Sequence, residues 1–381
     1  MKVIPYSKIV SVVLFLLTMA ILCLSMFQEI TEFTNDPELG GGIEKLDKPI
    51  LTMKDWFDGK YQEDLAKYKN QNFGFRSTLI RVHNQIEYDC FNEFNANGVL
   101  IGKDFYFYEE AYINSYFGLD FVGDSTVREN TRKLKMVQDT LSKLKIETLF
   151  IIAPGKGTYL PEYFPSKYDS FVKGKTNYDA YVKAFDKSEI KYIDYNKWFL
   201  QLKDTTSYPL YGKGGIHWSS YGEILVCDSL IRYLNNKTSC KVPNIVVGDI
   251  ELSATNQKRD YDIGEGLNLV FQLNTFPMAY PNFYFEKSDE NTRCRLISVA
   301  DSYYWGLYNI GFSEQLFKEG KFWYYNAMVY PESAKESLKT ESLNIQKEVE
   351  KKDLVLIVST EMNLRIFTFG FIDQLYAKYY H

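Results

Sequence analysis

The stretch Leu296-Ile297-Ser298-Val299-Ala300-Asp301-Ser302 decides the fold of this 381-residue chain. A short, mostly apolar run that ends at polar residues and leads into a helical pattern is typical of a buried parallel strand. Residues 148–153 and 354–358 form two more such runs, and residues 191–195 form a weaker one. Helical patterns separate these runs. We therefore predict an α/β fold, a doubly wound parallel sheet with helices on both faces.

Two sequence patterns predict where helices of this domain begin. Thr126 with Glu129 and Ser220 with Glu223 have the spacing of a capping box, in which a hydroxyl and a carboxylate satisfy the first backbone N–H groups. Apolar residues follow each pair at helical spacing. We expect one helix to begin at each pair.

The second capping box follows the segment Gly214-Gly215-Ile216-His217-Trp218-Ser219-Ser220, which contains one of only three histidines in the chain. Sites in doubly wound sheets form where loops leave the carboxyl ends of strands. Ser302, His217 and the turn Pro154-Gly155-Lys156 all fall at such ends. A base and a hydroxyl nucleophile are the minimum apparatus for acyl transfer through a serine ester. We predict Ser302 as the nucleophile and His217 as the general base.

Composition and motifs argue against other classes of function. A net charge of −5 gives no support for nucleic-acid binding, which needs a basic face. The chain has neither a G-x-G-x-x-G nor a G-x-x-x-x-G-K-[ST] motif, so no nucleotide cofactor is predicted. The five cysteines have no metal-ligand spacing, and no metal site is predicted. We expect most of them to be buried free thiols, with a Cys227–Cys240 bridge as the alternative.

The N-terminus predicts attachment to a membrane. Residues 9–27 carry no charge and are just long enough to cross a bilayer as a helix. Lys2 and Lys8 precede the run and acidic residues follow it, which favours a cytoplasmic N-terminus. No A-x-A cleavage site follows, so an uncleaved anchor is favoured over a removed signal peptide. In either case residues 28–381 are expected outside the cytoplasm.

The predicted organisation has four parts. A polar stem with glycines at 40–42 follows the anchor and is expected to be a flexible tether. Aromatic helical patterns come next, and residues 98–108 alternate like a hairpin with a Gly-Lys-Asp turn. The parts are a cytoplasmic tail (1–8), a transmembrane signal anchor (9–27), a stem and helical region (28–94) and the α/β domain (95–381).

Several of these motifs together resemble a known family. They are Ile152-Ala153-Pro154-Gly155-Lys156 with Tyr159 and residues 161–165, then Gly215-Ile216-His217-Trp218, then Ala300-Asp301-Ser302. In this order, over about residues 95–381, the chain resembles the SGNH-hydrolase-like proteins of alginate O-acetylation. The resemblance implies an SGNH-hydrolase-like domain that faces the periplasm from the bacterial inner membrane. It also implies a role in acetylating a polysaccharide, with a membrane-bound O-acyltransferase as a partner.

The resemblance assigns roles to single residues. Ser302 would hold the acyl group, its backbone N–H would serve as an oxyanion donor, and His217 would act as base. The family's Asp-x-His motif has its carboxylate at the position of Gly215, and the SGNH alternative falls on Gly214. The group that orients His217 therefore stays open between a backbone carbonyl and a distant acid. The candidate acids are Asp204, Asp262 and Glu361.

Four more residues are candidates for contact with substrate or with the oxyanion: Asp301, Lys156, Tyr159 and Trp218. A structural role is equally expected for the last three. Two hypotheses of function follow. The first is an anchored enzyme that moves acetyl groups to or from a cell-envelope or exported polysaccharide. The second is a catalytically degenerate module that binds glycan or docks a membrane-bound O-acyltransferase.

Overall fold

A computed structural model of the protein describes residues 6–41, 46–91, 96, 98–273, 275–289 and 293–380. The chain forms two compact units, Met1–Asn97 with Gly264–Gln272, and Gly98–Ile263 with Leu273–His381. The predicted boundary between residues 94 and 95, Gly42 of the stem and most of the 1–8 tail lie outside the described residues.

The first unit is helical. Its helices are α1 (Tyr6–Thr31), α2 (Met53–Phe57), α3 (Lys60–Asn72) and α4 (Arg76–Phe91). Helix α1 contains an 18-residue apolar stretch within Ser7–Thr31 with a mean hydropathy of 2.7, and no residue of that stretch is buried inside the protein. By length and composition this helix is a candidate membrane span, and a signal sequence would pass the same test.

Part of the stem is tied to α4. The Asp36 carboxylate accepts hydrogen bonds from the backbone N–H groups of Ser77 and Thr78, each at 3.0 Å. Arg81 donates to the carbonyl oxygens of Pro37 and Glu38 at 2.8 and 2.7 Å. The prediction of a flexible tether is therefore wrong for residues 36–38, because a carboxylate on free backbone N–H groups fixes the segment.

The second unit is built on a six-stranded sheet with the strand order β4-β3-β10-β7-β8-β9. All neighbouring pairs are parallel except β8 with β9 at the edge. The predicted doubly wound α/β fold, with a mixed sheet of this kind, is confirmed. The strands of the sheet are β3 (Glu147–Ala153), β4 (Tyr192–Asp194), β7 (Arg295–Ala300), β8 (Glu319–Tyr324), β9 (Met328–Tyr330) and β10 (Leu354–Thr360).

The second unit also contains two smaller, two-stranded sheets. The predicted hairpin is present as β1 (Val99–Ile101) paired antiparallel with β2 (Phe107–Glu109). A second antiparallel pair, β5 (Ile245–Ser253) and β6 (Met278–Phe285), has no counterpart in the sequence predictions. Most residues of β5 are exposed, and β6 is buried only at its first two residues, so neither strand has the continuous apolar run that marks a buried strand.

α-Helices are interspersed with the strands from residue 98 onward. They are α5 (Glu110–Phe117), α6 (Asp124–Lys143), α7 (Lys156–Tyr159), α8 (Asn177–Lys187), α9 (Tyr195–Leu202), α10 (Ser220–Lys237), α11 (Asp262–Gly266), α12 (Tyr304–Asn309), α13 (Phe312–Leu316), α14 (Ile345–Glu350) and α15 (Phe371–Tyr380).

Both faces of the central strands are buried. Phe150 and Ile152 of β3 pack into one core cluster with residues of α6, α8 and α15. Leu149 and Ile151 point to the other face and are buried as well. Side chains of a strand alternate between its two faces, so an unbroken apolar run is the sequence expected of a strand covered on both sides.

The two predicted helix starts are slightly displaced. Helix α6 begins at Asp124 after Gly123, two residues before Thr126, and no side chain caps it. For α10 the cap is Ser219, whose Oγ accepts from the Gly222 N–H at 3.0 Å, whereas Ser220 donates to Asp260 at 2.9 Å. Adjacent serines compete for one capping position, so spacing alone chose the wrong serine.

The cysteines depart from the prediction. Cys240 and Cys294 form a disulfide, and Cys23 and Cys90 are exposed. Only Cys227 is a buried free thiol among the described residues. The expected set of buried thiols and the alternative Cys227–Cys240 bridge are both wrong, because Cys240 is bonded to Cys294 and two of the free thiols are exposed.

Candidate active site

The site lies at the carboxyl end of the main sheet, where three neighbouring parallel strands finish. Ser302 follows β7, Tyr325 follows β8 on one side, and Asn363 lies just beyond β10 on the other side. The register pairs Ala300 with Tyr324 and with Val358. Polar side chains from separate parts of the chain therefore meet at one edge, as expected of a doubly wound sheet.

The structure brings Ser302 and His217 together. His217 Nε2 lies 2.8 Å from Ser302 Oγ, within hydrogen-bond distance. The His217 side chain is 13% exposed, so the pair is shielded and still reachable from solvent. This is the geometry required of a hydroxyl nucleophile and its base.

Asp262 is the acid that orients the imidazole. Its Oδ2 is hydrogen-bonded to His217 Nδ1. Its Oδ1 accepts the backbone N–H groups of Ile216 at 2.9 Å and Ile263 at 2.8 Å. With the Nδ1–H donated to Asp262, Nε2 is left to accept the proton of Ser302. Of the three candidate acids, Asp204 is exposed and Glu361 is bound by Asn196 at 3.1 Å.

Asp262 is held in its ionised form. Burial raises the pKa of its carboxyl group, but His217 lowers it through charge and through a hydrogen bond, and the Ile216 N–H and Arg259 lower it further. The net effect is a pKa below the ordinary value. An ionised carboxylate at Nδ1 stabilises the imidazolium that forms when the histidine takes a proton.

The glycines before His217 explain why the carboxylate comes from elsewhere. A Cβ at Gly215 would lie 2.2 Å from the carbonyl oxygen of Arg259, and one at Gly214 would lie 2.2 Å from the ring of Tyr261. The two segments therefore touch backbone to backbone. This close approach leaves no room for an aspartate at 215 and brings Asp262 beside the imidazole.

Lys156 secures the same segment from the other side. Its fully buried ammonium group donates to the carbonyl oxygens of Gly212, Lys213 and Gly215 at 2.9, 2.8 and 2.6 Å. Burial lowers the pKa of Lys156 to about 7, partly offset by the charge of Asp262. All three donors of the ammonium group are occupied inside the protein, which favours a structural role of Lys156 over contact with substrate.

Asp301 is likewise a structural residue. It is fully buried, and its carboxylate accepts the Thr360 N–H at 2.7 Å, the Thr360 hydroxyl at 2.8 Å and the Asn363 amide at 2.8 Å. The other oxygen accepts the Tyr303 N–H at 3.1 Å. Asp301 thus joins the ends of β7 and β10 and does not reach a substrate.

Trp218 and Tyr159 belong to the packing beneath the site. Trp218 is fully buried between Phe199 and Tyr303, with ring centroids 6.4 and 5.1 Å away. Tyr159 is buried against Tyr211 at 5.1 Å. Both rings are buried, which favours the structural role of Trp218 and Tyr159 over contact with substrate.

Two further groups support the Ser302 turn. Arg259 donates to the carbonyl oxygens of Ser302 at 2.7 Å and Tyr303 at 3.3 Å. The Tyr303 hydroxyl donates to the Ile216 carbonyl at 2.7 Å and so links the serine turn to the histidine segment. These contacts fix the relative position of the nucleophile and the base. Neither residue was singled out from sequence, because each acts through the backbone of a segment distant in sequence.

The Ser302 backbone N–H, the expected oxyanion donor, lies just before a helix. Helix α12 begins at Tyr304, so Ser302 lies in the turn before it and not at its first residue. Within the described part of the chain the Ser302 N–H has no hydrogen-bond acceptor. It is thereby available to a developing negative charge on a carbonyl bound at Oγ.

Comparison with known proteins gives one family match. Residues 99–257 match the family model described as the SGNH hydrolase-like domain of the acetyltransferase AlgX. The matched residues include His217, whereas Asp262 and Ser302 lie beyond their end. A search of curated sequences found no match.

Solved structures with a similar fold include three from bacterial proteins. The O-acetyltransferase domain of Pseudomonas putida AlgJ has a TM-score of 0.44 at 14% identity, covering 74% of this chain and 99% of that one. Pseudomonas aeruginosa AlgX gives 0.46 at 12%, covering 74% and 70%. Bacillus cereus PatB1 with a sulfonyl adduct gives 0.48 at 13%, covering 72% and 99%. The resemblance predicted from sequence is confirmed by the family model: residues 99–257 are similar to the SGNH hydrolase-like domain of the AlgX acetyltransferases.

Proposed function

We propose that this protein is an O-acetyltransferase or acetylesterase of SGNH type that acts on a cell-envelope or exported polysaccharide through an acetyl ester on Ser302. The observation that carries the proposal is the continuous hydrogen-bond chain from Ser302 through His217 to Asp262. A degenerate domain would not need to keep these three side chains aligned. The aligned hydrogen bonds therefore favour an enzyme over a module that only binds glycan or docks a partner.

The chemistry follows from this alignment. Ser302 Oγ attacks the carbonyl carbon of an acetyl donor while its proton passes to His217 Nε2. The tetrahedral intermediate collapses, the donor's oxygen leaves with the proton from His217, and Ser302 holds the acetyl group. A hydroxyl of the polysaccharide, or water, then attacks this ester with His217 again acting as base.

The polysaccharide, the membrane and the partner belong to the same proposal. Residues 99–257 of this chain resemble a domain of AlgX, and AlgX is described as an acetyltransferase. We infer that helix α1 anchors the chain in the inner membrane with the main domain in the periplasm. A membrane-bound O-acyltransferase would then supply acetyl groups from the cytoplasmic side. The exposed apolar surface of α1 supports the anchor.

A chromogenic acetyl ester tests the proposed chemistry. We expect the wild-type protein to release the chromophore and the Ser302→Ala and His217→Ala variants to lose almost all activity. The double variant should lose no more than either single variant, because the two side chains act as one unit. The matched control is Ser220→Ala, a neighbouring serine that binds Asp260 and lies outside the hydrogen-bond chain.

A second arm tests transfer. The protein with an acetyl donor and an unacetylated polysaccharide should give acetylated polysaccharide, measured by its ester carbonyl signal, and Ser302→Ala should give none. Full chromophore release by folded Ser302→Ala would overturn the proposal. Ester hydrolysis without transfer to any polysaccharide would restrict the activity to that of an esterase.

A further inference from the structure

We propose that Tyr325 is a further catalytic residue, whose hydroxyl donates a hydrogen bond to the oxyanion that forms when Ser302 attacks an acetyl carbonyl. The inference rests on the proposed function. It adds a donor from the turn after β8 to the Ser302 backbone N–H, which lies in the turn after β7. Neither the motifs nor the matched residues 99–257 include this position.

Strand topology places Tyr325 beside the nucleophile. Strand β8 is the parallel neighbour of β7, and Tyr325 is the first residue after its end. The Tyr325 N–H donates to the Ala300 carbonyl at 2.8 Å, two residues before Ser302. The two residues therefore leave adjacent strands at the same level of the sheet.

The direction of its hydrogen bond with Asn363 leaves the hydroxyl proton of Tyr325 available for donation to a substrate oxygen. Asn363 Nδ2 lies 3.4 Å from the Tyr325 hydroxyl oxygen, and an amide nitrogen only donates. The tyrosine oxygen thus accepts from Asn363 and its own proton points elsewhere. Asn363 is itself fixed by its 2.8 Å bond to the buried Asp301. The phenol is therefore held on one side by a residue of the neighbouring strand end.

The Tyr325 hydroxyl is also close enough to the Ser302 side chain for the two to interact. Burial raises the pKa of Tyr325 to about 12, as does the charge of Asp301, while hydrogen bonds with Asn363 and Ser302 oppose the rise. Because its pKa is high, the phenol stays neutral and keeps its proton at neutral pH. The oxyanion would form on the carbon to which Ser302 Oγ becomes bonded, so a donor beside Oγ lies near the place where the negative charge develops.

The turn that carries Tyr325 is strained, which supports a functional role. Tyr325 and Asn326 have φ angles of 48° and 51°, in the left-handed region that an aromatic residue such as tyrosine rarely adopts. Strain of this kind costs roughly 1–3 kcal/mol per residue and persists where the surrounding structure enforces it, often at active sites. Packing of the Tyr325 ring against Phe369, at 5.1 Å, helps to enforce it here.

The role of Tyr325 does not change which bonds form and break when Ser302 attacks the acetyl carbonyl. The Ser302 oxygen forms a bond to the carbonyl carbon, its proton goes to His217, and the carbonyl π electrons move onto oxygen. Tyr325 shares its proton with that oxygen without transferring it and releases the oxygen when the leaving group departs. Such donors act on the transition state more than on the bound substrate.

Steady-state kinetics of Tyr325→Phe with the chromogenic acetyl ester test the proposal. We expect kcat to fall about 100-fold with KM changed less than twofold, as for loss of one oxyanion donor. Phenylalanine keeps the ring and the strained turn and removes only the hydroxyl. The matched control is Tyr330→Phe on β9, which removes a hydroxyl from the next strand and should keep wild-type kcat.

The outcomes separate this inference from the proposed function. If Ser302→Ala is inactive and Tyr325→Phe keeps its kcat, the role of Tyr325 is overturned and the acyl-enzyme proposal stands. If Ser302→Ala stays active, the proposed function fails first. A raised KM with unchanged kcat would assign Tyr325 to substrate binding and overturn the oxyanion role.

A second measurement tests the proposal even if the Tyr325→Phe variant does not fold. Fluorinated tyrosines at position 325 keep the hydroxyl and the shape while making the phenol a stronger acid. We expect kcat to change systematically with phenol acidity at a pH where the phenol is neutral. A kcat independent of phenol acidity across the series would overturn the proposal.

Discussion

Replacing Asp262 by asparagine is the substitution that most sharply tests how this site works. The asparagine oxygen can still accept the N–H groups of Ile216 and Ile263, so the loop is expected to stay in place. The amide nitrogen replaces the oxygen that faces His217 Nδ1. An amide N–H donates, so Nδ1 becomes an acceptor and the ring proton moves to Nε2. In that tautomer His217 is unable to take the proton of Ser302.

The expected loss is large. A carboxylate that sets the tautomer of a catalytic histidine contributes about 10³–10⁴ in kcat. At about 1.4 kcal/mol per tenfold, this is about 4–5.5 kcal/mol of transition-state stabilisation. We expect Asp262→Asn to lower kcat for the chromogenic acetyl ester by that factor and to leave KM within about threefold, since Asp262 contacts the histidine and not the acetyl group.

Two controls make the result decisive. Asp204→Asn changes another candidate acid, one that is exposed and makes no contact with His217, and should keep full turnover. The melting temperature of Asp262→Asn should stay close to that of the wild type. A folded Asp262→Asn variant with more than a third of the wild-type kcat would refute the role of Asp262.

Three further predictions follow from the packing around the site. Gly215→Asp should not raise turnover and should destabilise the fold by about 3 kcal/mol in urea unfolding, because its Cβ would lie 2.2 Å from the Arg259 carbonyl oxygen. Lys156→Met should leave three carbonyl groups unpaired, lower the free energy of unfolding by about 3 kcal/mol or more and reduce kcat by loosening the His217 segment. Burial raises the pKa of Glu361 from 4.5 to about 7, so its contribution to stability is present below pH 4.5 and is lost as the pH rises to about 7. Unfolding curves measured between pH 4.5 and 7 should show the free energy of unfolding of the wild type falling by about 3 kcal/mol from this group. The free energy of unfolding of Glu361→Gln should depend less on pH over the same range.

Local sequence was enough to predict the central sheet and the meeting of Ser302 with His217. The runs at 148–153, 296–300 and 354–358 are buried on both faces, so each strand is marked by its own residues. The carboxyl ends of parallel strands share one edge, and this rule placed Ser302 correctly. The expectation that His217 also leaves a strand end is wrong, because α9 and a loop separate it from β4.

Groups that depend on tertiary packing were not predicted. Asp262 was one of three open candidates, since its position follows from the close approach of Gly214 to the Tyr261 ring and of Gly215 to the backbone of residues 259–260. Tyr325 was missed because β8 has exposed and half-buried residues at its start and no continuous apolar run. The Cys240–Cys294 bridge joins residues 54 apart, and no local pattern marks that pairing.

The central claim is that Ser302 carries an acetyl group during turnover. Acid quenching of the wild-type protein during reaction with the chromogenic acetyl ester, followed by peptide mass spectrometry, tests it directly. Asp262→Asn should accumulate less of the adduct in the same time, and Ser302→Ala none. We predict one acetyl group on the peptide that contains Ser302. Sustained turnover with that peptide unmodified, or with the acetyl group on another residue, would contradict the account.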